Sequence, residues 1–462
     1  MMPRRPIVKP SPQWRFPTPH RRRLDNGLAV DRFDLPGQRV VTMTLLLDAP
    51  LSAEPLDREG VAAMVMRALD EGTLTHPGSA LTDALEGCGA QIADAGAGLY
   101  GSSITVDAPS TRLAEALALL AELIDEPAFA PADIERLVQE RLLILATGEL
   151  SPSVCATKAM RAILGARPGD PAGDHRLSRP SGGDAATVAT LTPDVIRAWH
   201  DRAARPDRAR LVLAGDLPPG TDDLIETALG PWRPRDGAET LPAADPPPPP
   251  GTRRIALVDR PAAAQVSVRI GTLTPTRQHG DWPALQVANA VVGAMFGSRL
   301  NRLLREDRGL TYGAGSGLGA TRDMAVFTAQ AECAPDSAAE ATRLALDCLD
   351  LSSAPVTSDE VRDAVAYITG ATPLQLATAG AVVNQAVNFA VGGVDTTWFD
   401  AYMDAVRSVT ADDATAAFSR HIAPDNLIVV LCGPAESLLP ALASHGLDAE
   451  LIDSAGHVTP TR

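Results

Sequence analysis

Leu191-Thr192-Pro193-Asp194, then Trp199-His200, Arg205-Pro206-Asp207 and Ala209-Arg210-Leu211-Val212-Leu213-Ala214-Gly215, read as a capped helix, a turn and a buried strand. A threonine side chain accepts the free amides of a first helical turn, and proline just inside has no amide to leave unbonded. The same reading returns further on. Val409-Thr410-Ala411-Asp412 opens a helix reaching His421, and Ala423-Pro424-Asp425 leads into Leu427-Ile428-Val429-Val430-Leu431-Cys432-Gly433. Thr192 and Thr410 stand 218 positions apart, and so do Asp207 and Asp425. Two copies at so long a spacing indicate duplication of a whole domain, not a solenoid.

Working outward, the earlier parts of the halves also correspond. Ala95-Gly96-Ala97-Gly98 precedes a strand at Ser103–Val106, and Gly313-Ala314-Gly315-Ser316 precedes one at Met324–Gln330. Ala/Leu-rich helices are predicted over Thr111–Ile124 and Ser337–Leu349, followed by helices opening at Ala132-Asp133-Ile134-Glu135 and Ser358-Asp359-Glu360-Val361. Asn26-Gly27 between apolar runs is a tight-turn signal. Arg39–Leu47 then reads as a buried strand, and Ile255–Val258 with Gln265–Ile270 repeats the arrangement. Alternating strands and amphipathic helices make each copy an α+β unit, helices packed on an antiparallel sheet. Between the copies, Asp245 is followed by five prolines and Gly251, a semi-rigid extended spacer. The predicted organisation is an N-terminal extension over 1–20, a first domain over 21–232, a Pro-rich linker over 233–252, a second domain over 253–440 and a tail over 441–462.

With 462 residues, 45% of them hydrophobic and 21% charged, the chain is a globular protein of more than one domain. A net charge of −16 argues against a nucleic-acid partner and reads first as a solvated acidic surface. The five cysteines, Cys88, Cys155, Cys333, Cys348 and Cys432, are odd in number and widely spaced, which fits small buried hydrophobes in a reducing compartment. No secretory leader and no 18-residue apolar run is visible, so a cytoplasmic location without a membrane span is expected.

Gly60-Val61-Ala62-Ala63-Met64-Val65-Met66-Arg67-Ala68-Leu69-Asp70-Glu71-Gly72-Thr73 resembles the helix of the M16 peptidases (pitrilysin, insulin-degrading and mitochondrial processing enzymes). In active members that helix carries His-x-x-Glu-His between a glycine start and a Gly-Thr end. Two imidazoles four apart share a helix face and bind one zinc, and the glutamate before the second can take a proton from metal-bound water. Here Ala63 stands at the first histidine, Met66 at the general base and Arg67 at the second histidine. The family's third ligand, a glutamate, falls near Leu142, with Glu135 and Glu140 on one side. Of the eight histidines, none lies four from another. No zinc and no catalytic residue is therefore expected in this chain.

Gly297-Ser298-Arg299-Leu300-Asn301-Arg302-Leu303-Leu304-Arg305-Glu306-Asp307-Arg308-Gly309-Leu310-Thr311-Tyr312-Gly313 closely resembles the same family's C-terminal signature. In active members an arginine and a tyrosine seven apart bind substrate backbone near the scissile bond, and Arg305 and Tyr312 match them. The family occurs as paired chains, one with the zinc helix and a sister with the Arg/Tyr pair. The resemblance spans about residues 20–440 and implies two M16/LuxS-like metallohydrolase-type domains. It implies a non-catalytic subunit of the M16B type that positions peptides, leader peptides among them, with zinc in a homologous His-x-x-Glu-His partner. A non-enzymatic scaffold of the same fold, serving as a core-like subunit of a larger complex, is the alternative. An active enzyme with unusual ligands is a third.

Gly96-x-Gly98-x-x-Gly101 has the spacing of a dinucleotide fingerprint, but a strand and not a helix follows it. Gly315-x-Gly317-x-x-Ala320 fails in the same way. Both are read as glycine-assisted turns between strands. Gly293-Ala294-Met295-Phe296-Gly297, where some zinc-free processing subunits carry a glycine-rich loop, is read as a helix-to-helix turn.

Overall fold

The computed structural model describes residues 14–167, 174–235, 241–248 and 251–459. Part of the expected N-terminal extension (1–13), part of the expected linker (236–240, Pro249 and Pro250) and the end of the expected tail (460–462) lie outside the described residues.

The Asn26-Gly27 turn, with Gly27 at φ +95°, separates β1 (His20–Arg23) from β2 (Ala29–Asp34). β3 (Val40–Leu47), β4 (Gln91–Gly98), β5 (Gly101–Pro109) and β6 (Ala209–Gly215) complete the first sheet. The second half supplies β7 (Arg254–Asp259), β8 (Val266–Thr274), β9 (Thr311–Ala320), β10 (Ala325–Cys333), β11 (Ile428–Gly433) and β12 (Glu450–Ile452). The sheet orders are β1-β2-β6-β3-β5-β4 and β12-β7-β11-β8-β10-β9. Five strands therefore correspond one for one, and the duplication read in the sequence is a duplication of topology. The sheets are antiparallel apart from β2–β6, β7–β11 and β7–β12, which are parallel. β6 and β11 each return after a long helical excursion and insert between strands already made, so their direction is set by that excursion rather than by a hairpin.

The capped helices form as their sequences predict. Thr192 accepts the Val195 amide ahead of Pro193–Ala203, and Thr410 forms a reciprocal capping box with Asp413 ahead of Ala411–His421. Two stretches predicted to lie outside the domains are part of them. Glu450–Ile452, in the expected tail, is the edge strand β12, and Trp14 and Phe16, in the expected extension, pack into an apolar cluster between the halves. The glycine pairs at Gly96/Gly98 and Gly315/Gly317, predicted as turns, lie inside β4 and β9.

Side-chain alternation along the central strands decides the layering. Leu211 and Leu213 of β6 face the first half's own helices, among them Val61–Ala68, Leu113–Asp125 and Pro193–Ala203. Val212 and Ala214 point the other way and are covered by Ala379–Val391 and Thr396–Ser408, which come from the second half. The second sheet is treated reciprocally. Val429 and Leu431 face their own helices, whereas Ile428, Val430 and Cys432 lie under Pro152–Gly165 from the first half. Each half lends a helix to the other's sheet. Four of the eight phenylalanines, Phe16, Phe33, Phe389 and Phe399, gather in one of these shared clusters, with Phe16 to Phe389 ring centroids 5.3 Å apart. A chain poor in aromatics has concentrated them where its halves meet.

The helix that carries the degenerate motif is held by a buried ion network. One Glu54 oxygen accepts the Gly60 and Ala62 amides at 3.1 and 2.9 Å, capping the helix N-terminus. Its other oxygen accepts from Arg176 at 2.8 Å, and Arg176, 1% exposed, also lies 3.3 Å from Glu59. Burial raises the Glu54 carboxyl, with the Arg176 hydrogen bond and charge opposing. Gly60 at φ +97° is required, because a Cβ there would stand 2.7 Å from the Gly182 carbonyl oxygen. Arg176→Met strands Glu54 in the interior and is expected to cost about 3–5 kcal/mol in urea unfolding. Adding Glu54→Gln should recover part of that loss, and a single mutant within about 0.5 kcal/mol of wild type would contradict the role assigned to the pair.

Candidate functional site

In the first half, Val61–Ala68 buries Val61, Ala62, Met64, Val65, Met66 and Ala68. Only Ala63 and Arg67, one turn apart, are left on the unburied side, the face on which ligands four apart would project. Ala63 offers a methyl group and Arg67 a guanidinium with no hydrogen bond or ion pair among the described residues. Met66 is packed in the core. Asp70, one turn on, has its carboxyl raised by burial and by Glu71, with Arg67 and Arg136 opposing.

The facing helix, Pro131–Gly148, does not supply a missing ligand. Leu142 packs against the first core. Glu140 is engaged by Arg136 at 2.8 Å, and Arg136 also bonds Glu71. Glu135 is exposed. Among the described residues, one group of three possible ligands converges anywhere. It comprises His279, Asp281 and His421, with atoms within 4.8 Å of one another, far from this helix in sequence. These residues already bond one another and a cation: one Asp281 oxygen accepts from Arg420 at 2.6 Å and contacts His421 at 2.8 Å, while His279 accepts the Asp281 amide at 3.1 Å. The cluster is an ion-pair network joining two helix ends, and its partners, 140 positions apart, meet only through the tertiary fold.

In the second half, Arg305 lies in the irregular helical turn Arg302–Asp307 that continues Arg299–Asn301. That turn has the wider π geometry, a local feature often found at functional sites. Gly309 at φ +64° closes it, with the Leu310 amide bonded to the Leu304 carbonyl at 2.8 Å. The chain then enters β9, whose second residue is Tyr312, 90% exposed. Arg305 is also exposed, its guanidinium carbon 5.2 Å from the ring centre of Phe296, itself 73% exposed. Neither the Arg305 nor the Tyr312 side chain makes a hydrogen bond or ion pair among the described residues. The Gly293–Gly297 loop that presents Phe296 joins two helices, as predicted, and is pinned to the signature by Asn301, which donates to the Phe296 carbonyl at 2.8 Å.

β9 is the last strand of its sheet, as β4 is of the first. Gly313, Gly315, Gly317 and Gly319 alternate along it and so share one face, and a Cβ at Gly313, Gly317 or Gly319 would meet nothing within 4 Å. The opposite face carries Ala314 and Leu318 against the second core and Ser316, which donates to Asn289 at 2.6 Å. The strand thus has an open, side-chain-free face and an edge on which no further strand pairs among the described residues. The sequence reading missed this because glycine signals a turn as readily as a bare strand.

Residues 34–147 match the family model described as Insulinase (Peptidase family M16), and residues 190–367 match the one described as Peptidase M16 inactive domain. Together the two cover more than half of the chain. The chain belongs to the M16 peptidase family. The zinc of that family does not fit this M16 chain, since the positions facing it present a methyl, a guanidinium and a packed leucine.

An uncharacterized zinc protease of Streptomyces coelicolor is 29% identical over 262 residues, 53% of this chain and 54% of that protein. One of Mycobacterium tuberculosis H37Rv is 30% identical over 187 residues, 38% and 41% of the two chains. The chain thus spans about half the length of these curated relatives, or less. Among solved structures, the M16 inactive domain of Pseudomonas fluorescens superposes with a TM-score of 0.81 at 21% identity, covering 90% of this chain and 98% of that one. A protease of Helicobacter pylori gives 0.81 at 17%, covering 91% and 100%. At these identities the likeness shows a shared fold. Among the described residues no helix is long and apolar enough to cross a membrane.

The signature helix is anchored at its start by Arg299, which donates to both Glu360 oxygens at 2.8 and 2.7 Å. That two-pronged bond, ahead of the Thr357 cap amide, holds the Glu360 carboxyl down to about 2. A carboxyl lower in the folded than in the unfolded chain contributes stability that is full above its ordinary value and is lost as pH falls toward about 2. Arg299→Met should therefore flatten the acid limb of a stability-against-pH curve below about 4.5. Identical acid limbs for mutant and wild type would contradict it.

Proposed function

We propose that this M16 chain is the substrate-positioning member of a two-chain zinc peptidase, and that a homologous chain with an intact His-x-x-Glu-His helix supplies the metal chemistry. One contrast carries the reading. Every ligand-bearing position facing the first half's open side has lost its donor, while Arg305 and Tyr312 are kept, exposed and unpartnered beside an open strand edge.

An extended peptide can add to a sheet edge by backbone hydrogen bonds alone, with little regard for its sequence. The β9 edge supports that mode, because its alternate glycines leave the backbone uncovered. Arg305 offers a planar fork of donors to peptide carbonyls, and the Tyr312 phenol can donate to an oxygen that gains charge during cleavage. Neither must first break an internal bond to do so; Arg305 need only leave the Phe296 face. The five cysteines, three of them buried and none in a disulfide, favour a reducing compartment such as the cytoplasm.

Three measurements test the reading. The isolated chain should hydrolyse no peptide, and mixing it with a His-x-x-Glu-His homologue should produce cleavage. Arg305→Ala or Tyr312→Phe should lower turnover by about a hundredfold while the two chains still co-elute. Unchanged turnover in both variants would remove the positioning role.

A further inference from the structure

The helix that the first half lends to the second brings two thiols together across the seam. Cys155 lies near the start of Pro152–Gly165, and Cys432 lies on β11 beneath it. Both side chains are fully buried in one apolar cluster, where the Cys155 sulfur bears on the Cys432 thiol. In sequence they are 277 positions apart. They meet only because the helix crosses from one half to the other.

Cys155 has charged company that a packing cysteine does not need. Arg260, from the second half, donates to its sulfur at 3.3 Å, and the sulfur in turn donates to the Glu149 carbonyl at 3.3 Å. The Glu149 carboxylate shares this group: one oxygen pairs with Lys158 at 2.6 Å, and the other lies 3.5 Å from Arg260 and 3.8 Å from the Cys155 sulfur. A fixed cation against a sulfur is the setting in which a thiol attacks as its thiolate. Cys432 differs. Burial, with the Cys155 sulfur adding to it, pushes its thiol up to about 12, so it keeps its proton. Arg260 and Glu149 also line an open cavity of about 740 Å³, so the groups covering the buried sulfur are the ones a small solute meets from outside.

We infer that Cys155 is a peroxide-reactive thiol with Cys432 as its resolving partner, and that their oxidation ties the first half's lent helix to the second half's sheet. The Cys155 thiolate attacks one oxygen of hydrogen peroxide; an S–O bond forms, the O–O bond breaks, and hydroxide leaves to be protonated as water. The Cys432 sulfur then attacks the sulfenic sulfur; the S–S bond forms, the S–O bond breaks, and a second water leaves with the Cys432 proton. Two electrons pass from the thiol pair to one peroxide. The product is one disulfide and two waters.

The test uses the full chain, treated with hydrogen peroxide, alkylated and digested without reductant. Mass spectrometry should find the Cys155 and Cys432 peptides linked, and should find no link in Cys155→Ser. In Cys432→Ser the reaction should stop at a Cys155 sulfenic acid that dimedone labels. Arg260→Met should slow that labelling by about fivefold or more, and Arg260→Lys should restore part of the rate, which separates a charge effect from lost packing. The inference is overturned if both thiols stay alkylatable after treatment that oxidises Cys88, or if Arg260→Met reacts at the wild-type rate.

Discussion

A sheet with two apolar faces cannot leave one of them in water, and this constraint shapes the molecule. Each half covers one face of its sheet with its own helices. The other face is covered by helices from the opposite half: Pro152–Gly165 over β7, β8 and β11, and Ala379–Val391 over β3 and β6. Burying alternate residues such as Val212 and Val430 contributes on the order of 1.5–3 kcal/mol each. The halves are therefore joined by shared cores, not only by the linker. At one end of the second sheet, Ile452 of β12 shares the buried cluster of Pro152–Gly165. β4 and β9 are left with an open face and a free edge, and the retained Arg305/Tyr312 pair stands beside one of them.

The degenerate helix shows how a site can lose its chemistry and keep its frame. In Val61–Ala68 the buried side chains form a continuous apolar face, and Glu54 with Arg176 satisfies the first amides from within the protein. Nothing in that arrangement depends on a metal to hold the helix in place. The two positions on the open side, Ala63 and Arg67, lie outside the core. A cation at Arg67 opposes a second one nearby, which is the reverse of what a ligand does.

What could be read in the sequence was local or repeated. The 218-residue offset, the Thr192 and Thr410 caps and the Asn26-Gly27 turn are short-range patterns with direct backbone causes, and they gave two like domains of strands and helices. The loss at Ala63, Met66 and Arg67 was equally plain, because each residue type lacks the needed donor whatever the fold does with it. The lent helices were not legible, because the sheet that Pro152–Gly165 covers is a tertiary fact. β12 was missed because a three-residue strand has too few residues to show a pattern. Gly315 and Gly317, expected in a turn, lie in a strand because glycine marks bends and bare strands alike. The parallel insertion of β6 and β11, and the meeting of Cys155 with Cys432, follow from chain routing that no local window contains.

On this reading the chain has a zinc-peptidase frame with no zinc site of its own. Metal analysis of the purified full-length chain, after dialysis against a zinc buffer at neutral pH, tests it most directly. The account predicts far less than one zinc per chain, at the level of a protein with no site. One tightly held zinc per chain, retained through dialysis and lost with peptide cleavage on adding a chelator, would contradict it.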